Sequence, residues 1–185
     1  MSRFLLSAGL ASTLLVSPTV VSSQAGKAPP GPVLVIDTAK GVIEVELMTA
    51  DAPKSVAHIL ELAKNGFYRG QRFHWVQRGV AQFGDPLSRD LTKHSEWGSG
   101  GSGPRMTNKP LGVAEVSKKP FARGIVGLAY RSDRKPETAD SQLFILTAPN
   151  PAMIGKYTQV GKVTKGMNVV DKIEAQDVIK NVTVR

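Results

Sequence analysis

Two hydrophobic rhythms alternate along this chain of 185 residues. In "VLVIDTAKGVIEVELM", Val33–Met48, apolar residues recur at every second position on both sides of Thr-Ala-Lys-Gly. A period of two puts successive side chains on opposite faces of a strand, so this segment predicts a hairpin. After Asp51 the spacing lengthens, and Val56, Ile59, Leu60 and Ala63 mark the buried stripe of an amphipathic helix. Pro53 suits its first turn and Gly66 its stop. Period two returns in "RFHWV" and "GVAQF", split by a bend at 77–79, and again in "GIVGLAY", "SQLFILT", "YTQVGKV" and "NVTVR". The segment "MNVVDKIEAQ", residues 167–176, predicts a second helix. Between Asp85 and Arg123 runs a long connection holding "GSGGSG", Gly98–Gly103, which reads as a flexible loop. Many strands, few helices and no βαβ rhythm indicate a mostly β protein, an antiparallel barrel.

The first residues follow another pattern. One early cation, Arg3, precedes an apolar run from Phe4 to Val16, and small residues follow at Ser23 and Ala25. That is the order of a secretory signal, and the run is too short and too serine-broken to span a membrane. The expected organisation is a signal peptide over 1–25, a stiff Gly/Pro linker over 26–32 and one domain over 33–185. The expected location is secreted or periplasmic, without a membrane span.

Composition narrows the chemistry. The chain has no cysteine, which removes disulfides, thiolate nucleophiles and Cys-ligated metals. His58, His74 and His94 lack metal-ligand spacing, so neither metal nor cofactor is expected. Lysine and arginine outnumber acids 24 to 15, yet they are scattered and few aromatics interleave them. A solvated basic surface is the reading, with no nucleic-acid partner. The Gly-rich run lacks the strand-to-helix turn and lysine of a phosphate loop, and no Gly-x-Ser-x-Gly elbow is present. Asn181-Val-Thr183 matches a glycosylation sequon but falls in a predicted strand.

Several separated segments, in order, resemble the cyclophilin family of peptidyl-prolyl isomerases. "GVIEVELMTADAPKSVAHILELAKNGFYRGQRFH" resembles its opening hairpin, first helix and entry to the active site. "VAQFGDP" is similar to its Gln-Gly-Gly-Asp turn, with Phe83 at the first glycine. "RGIVGLAY" and "ADSQLFI" resemble the two facing strands, and "GKYTQVGKVTKGMNVVDKI" its closing strand and helix. The resemblance runs from Val33 to the C-terminus. It implies a closed eight-stranded antiparallel β-barrel capped by two α-helices.

Such an enzyme acts on proline-containing polypeptides. Rotation about an X–Pro amide crosses a barrier of about 18–20 kcal/mol, because it breaks amide resonance. The twisted state has a pyramidal proline nitrogen with a free lone pair. A site accelerates rotation by grasping the ring and aiming a donor at that nitrogen, without nucleophile or cofactor. The resemblance assigns Phe144 to the floor of the proline pocket, Val80 and Met153 to its walls, and Gln82 to the substrate backbone. Tyr157 falls at the pocket edge. His74, Ala81, Tyr130, Gln142 and Leu143 complete the expected substrate contacts. Ordinary core packing is an alternative for Phe144, turn stabilisation for Gln82, and loop cover for Met153.

Position 75 departs from the pattern. The family carries arginine after Phe-His, and its guanidinium is the donor; here Trp75 stands in that catalytic place. An indole offers one uncharged N–H. The hairpin loop is also one residue shorter than usual, so Gly79 replaces a second pocket aromatic. Tyr130 stands where asparagine is common, and Ala152 where a bulky residue favours cyclosporin-type ligands. Arg78 and Arg131 are candidates to replace the charge, whereas Arg72, out of phase with Trp75, faces away. The expected function is a peptidyl-prolyl isomerase of reduced activity that assists exported proteins, as a monomer. The alternative is a non-catalytic proline-peptide-binding or chaperone-like module on the same barrel.

Overall fold

Most strands form where period two predicts them; the one expected over Arg72–Val76 instead covers Trp75–Gln77, because residues 70–73 bond toward Asp177 and Ile179. The computed structural model describes residues 31–131 and 133–185; the expected signal peptide and nearly all of the linker lie outside these. Strands β1 (Val33–Thr38) and β2 (Gly41–Leu47) make the first hairpin. Then follow helix α1 (Pro53–Lys64), β3 (Trp75–Gln77), β4 (Val80–Phe83), β5 (Ile125–Leu128), β6 (Leu143–Leu146) and β7 (Thr158–Lys165). Helix α2 (Met167–Val170) and β8 (Ile179–Val184) complete the chain. The eight strands join one antiparallel sheet in the order β3-β4-β6-β5-β7-β2-β1-β8.

This sheet is curled but its ladder is open, which corrects the expected closed barrel. β3 and β8 are its two ends. They approach through the segment before β3 and the start of β8: Gly70 N donates to Ile179 O at 2.8 Å, Ile179 N to Gln71 O at 2.8 Å, and Phe73 N to Asp177 O at 2.9 Å. Only Arg72 and Val178 register there as a bridge. The same stitching shortens the second helix, expected over 167–176, to four residues. Gln176 adopts a positive φ of 74° and its N–H leaves the helix to bond Phe73 O at 2.8 Å. Backbone groups there find partners across the seam instead of along a helix.

Helix α1 buries Val56, Ile59 and Ala63 in the core, and Leu60 only partly. Its N-terminus is not capped by Asp51. The carboxylate of Glu115 accepts from Lys54 N at 3.1 Å and Ser55 N at 2.8 Å, so a side chain far along the chain satisfies orphan helix donors. Among the described residues no helix is long and apolar enough to cross a membrane.

Two apolar clusters flank the sheet. The larger gathers Leu34, Ile36, Ile43, Val45, Phe73, Ile179 and their neighbours inside the curl. The smaller joins Val80, Phe121, Ile125, Ala129, Phe144 and Leu146 on the opposite face. Strands β5 and β6 are therefore buried on both faces. This decides two assignments. Ala81 and Leu143, expected at the substrate, point into the larger core, because strand alternation sends them opposite to Gln82 and Phe144.

Candidate active site

Pairing across four strands builds the site. Trp75 lies opposite Gln82, Gln82 opposite Phe144, and Phe144 opposite Gly127. Residues directly opposite in a sheet share a face, so one cross-strand row carries the tryptophan, the amide and the aromatic floor. Strands lie about 4.8 Å apart, which puts the backbone of Trp75 about 10 Å from that of Phe144. The next row holds Gln77, Val80 and Leu146. A cavity of about 510 Å³ opens over both rows, lined also by Arg78, Tyr130, Met153 and Tyr157.

Phe144 is 2% exposed, and its ring lies over Gly127. A Cβ at Gly127 would collide with the ring, so glycine there is what lets the floor lie flat. The ring meets Tyr157 edge-on, with centroids 5.5 Å apart. Tyr157 in turn stacks at 4.8 Å on Tyr130, whose hydroxyl donates to Lys156 O at 3.2 Å. The aromatic wall lost at Gly79 is thus partly rebuilt by Tyr130 from another strand end. Burial raises the Tyr130 phenol above its ordinary value, and the neighbouring Tyr157 and Glu137 add to this. The phenol remains a neutral donor.

Gln82 is held by a relay. Gln142 Nε2 donates to Gly98 O at 3.0 Å and Gly100 O at 2.8 Å, which turns its carbonyl toward Gln82 Nε2 at 2.9 Å. Gln82 Nε2 also lies 3.4 Å from His74 Nε2, and Gln82 Oε1 accepts from no described residue. The amide is oriented and keeps hydrogen-bonding capacity for a ligand. Gln142 faces a second cavity of about 240 Å³, which shares Ala129 and Tyr130 with the first. His74 sits behind the amide rather than at the ligand. Burial lowers its imidazole pKa, and Asp85, Gln142 and the backbone only partly offset that.

The glycine-rich run is anchored, not flexible. Asp85, fully buried, accepts from Gly98 N at 2.5 Å and Gly100 N at 3.1 Å. Asp140 accepts from Ser102 N at 2.7 Å, Ser102 Oγ at 2.5 Å and Lys109 N at 2.7 Å, and lies 3.1 Å from His58 Nε2. A Cβ at Gly100 would strike Asp85, and one at Gly101 would strike Asp140. The glycines allow backbone to approach two buried carboxylates, a use that composition cannot distinguish from a linker. Sequence reasoning missed both acids. The signal available was acids beside Gly, Pro and Ser turns, a pattern common on surfaces.

Trp75 is 47% exposed, and its indole lines the cavity without a hydrogen bond to a described residue. Leu146, Ala129 and Asn150 also line it, and none of the three was singled out from the sequence.

Comparison with known proteins agrees with this architecture. Residues 33–185 match the family model described as cyclophilin type peptidyl-prolyl cis-trans isomerase/CLD. A probable peptidyl-prolyl cis-trans isomerase of Brucella suis is 39% identical over 165 residues, covering 87% of this chain and 81% of that protein. A peptidyl-prolyl cis-trans isomerase of Helicobacter pylori is 37% identical over 152 residues, covering 80% and 83%. A solved cyclophilin-type isomerase of Cryptosporidium parvum superposes with TM-score 0.69 at 24% identity, over 85% of this chain and 98% of its own. The same protein was also solved in the presence of the dipeptide Ala-Pro, with TM-score 0.67 at 23% identity, over 83% of this chain. With motifs, topology and relatives in agreement, this chain belongs to the cyclophilin-type family of peptidyl-prolyl cis-trans isomerases.

Proposed function

We propose that this isomerase acts on X–Pro bonds of exported polypeptides, more slowly than a member with arginine at position 75. The carrying observation is the row of Trp75, Gln82 and Phe144 beneath one cavity. Phe144, Val80 and Met153 suit an apolar ring, and the oriented Gln82 amide suits a peptide backbone. It is proposed to act as a monomer. What the row lacks is a charge. A hydrogen bond from a charged donor contributes about 1.5–3 kcal/mol, roughly 10- to 150-fold in rate.

Trp75→Arg is therefore expected to raise kcat about tenfold or more while leaving peptide Kd unchanged. The donor meets a lone pair present only in the twisted state, so it lifts turnover rather than affinity. Turnover of an X–Pro peptide, with calorimetric binding of the same peptide, makes the measurement. A folded variant that binds but turns over no faster removes the missing charge as the limit. Peptide binding without turnover in the natural protein favours the binding-module reading instead.

Export rests on the leader-like segment. The mature chain is expected to begin between Gln24 and Gly26, as read by intact mass of the exported protein. A mass that includes Met1 rejects the proposed processing.

A further inference from the structure

Three arginines stand near the groove besides the tryptophan, and their surroundings differ. Arg72 donates through Nη1 to Gln176 O at 2.9 Å, at the seam behind the sheet edge. Arg131 is held by Asp133, with Nε and Nη2 each 3.1 Å from a carboxylate oxygen, and it lines the second cavity, not the first. Arg78 alone of these lines the first cavity, together with Trp75, Gln82 and Phe144. It is exposed, and among the described residues it makes no ion pair or side-chain hydrogen bond. Arg78 also borders a shallow hollow behind the hairpin that contains Asp171. That carboxylate is already taken by Arg123 at 2.6 Å.

The turn that carries Arg78 is held in place by its backbone. Gln77 pairs with Val80, so Arg78 and Gly79 form a two-residue hairpin turn, and Gly79 has the positive φ of 95° that its third position requires. Thr147 N donates to Gly79 O at 2.9 Å, which fixes the turn's backbone to the end of β6. A Cβ placed on Gly79 would find only Ala148 Cβ, at 4.0 Å. No side chain at Gly79 crowds its neighbour, and Arg78 lines the cavity beside Trp75 and Gln82.

We infer that Arg78 supplies the cationic donor of this active site, in place of the strand position held by Trp75. The inference rests on reading the cavity as the isomerase centre. The guanidinium keeps its proton throughout, because rotation breaks and forms no covalent bond. It presents a planar fork of N–H groups to the proline nitrogen as that nitrogen pyramidalises. Ordering a long side chain on an exposed turn offsets part of the gain. A donor weaker than one anchored on a strand is therefore expected.

The test uses the full chain, an X–Pro tetrapeptide, and turnover measured beside calorimetric Kd. Arg78→Ala is expected to lower kcat about five- to twentyfold with Kd unchanged within twofold. Arg78→Lys restores part of the loss, since an ammonium keeps the charge but not the fork. Arg131→Ala leaves turnover unchanged. Adding Trp75→Arg to Arg78→Ala brings turnover back to the natural level or above. An Arg78→Ala enzyme as fast as the natural one overturns the assignment and leaves the isomerase centre standing. Equal losses of binding and turnover also overturn it, because they mark uniform ground-state binding. A natural protein that binds the peptide without turning it over overturns the isomerase centre itself, and Arg78's role with it.

Discussion

Phe144→Ala is expected to abolish proline-peptide binding and to cost about 3–5 kcal/mol of folding stability. Both effects follow from one placement. The ring is buried among Val80, Ile125, Ala129 and Leu146, covers Gly127 and braces Tyr157. Removing it empties volume that the sheet cannot refill, because Gly127 beneath has no side chain to expand. The proline ring then meets a hole where it had a face. Urea titration gives the stability change, and calorimetry on the folded variant gives binding. Phe144→Leu keeps most of the volume without the flat ring, so it separates the two effects: near-natural stability with weakened binding. A folded Phe144→Ala protein that binds proline peptides normally would remove Phe144 from the pocket.

Asp140→Ala is expected to cost about 3 kcal/mol, the upper end of the range for leaving buried donors unsatisfied. The carboxylate is 2% exposed and accepts from Ser102 and Lys109 backbone N–H groups, the Ser102 hydroxyl and His58. Truncation strands these donors in a dry site. The glycine-rich loop then loses one of its two anchors, and Gln142 leans on that loop through Gly98 and Gly100. A weaker orientation of Gln82 is the expected secondary effect, read as a raised KM for peptide.

The pH dependence gives a second measurement. Burial pushes the Asp140 carboxyl upward, but the bonds from His58, Ser102 and Lys109 outweigh it, so its pKa lies below the ordinary 3.8. A depressed carboxylate contributes stability that is full above the unfolded value and is lost as pH falls through the folded one. The natural protein and Asp140→Ala should thus differ most near pH 7 and converge below pH 3.8. A variant within 1 kcal/mol of the natural protein at pH 7 contradicts the network's role.

The elements that depend on local pattern were legible in the sequence. The β1–β2 hairpin, helix α1 with its Pro53 start and Gly66 stop, and five further strands follow from residue period and turn chemistry, while β3 begins three residues later than the pattern of "RFHWV" predicts. Motif order singled out Phe144, Gln82 and Tyr157, which the fold brings to the lining of one cavity, and marked Trp75 as a departure. Elements whose end depends on a distant partner were not legible. The second helix is cut short at Val170 because Gln176 bonds Phe73 across the seam, and α1 is capped by Glu115 from another loop. Ala81 and Leu143 looked equivalent to their neighbours until two apolar clusters divided the faces of β4 and β6. The run "GSGGSG" has the composition of a linker, and only buried Asp85 and Asp140 make it a fixed wall. Choosing between Arg78 and Arg131 also needed tertiary structure. Each is an ordinary cation beside a strand; one is paired with Asp133 at the second cavity, and the other lines the first cavity unpaired by any described acid. Residue type and spacing set which groups the chain carries, whereas the register of four strands and the pairing of charges set which groups meet a ligand.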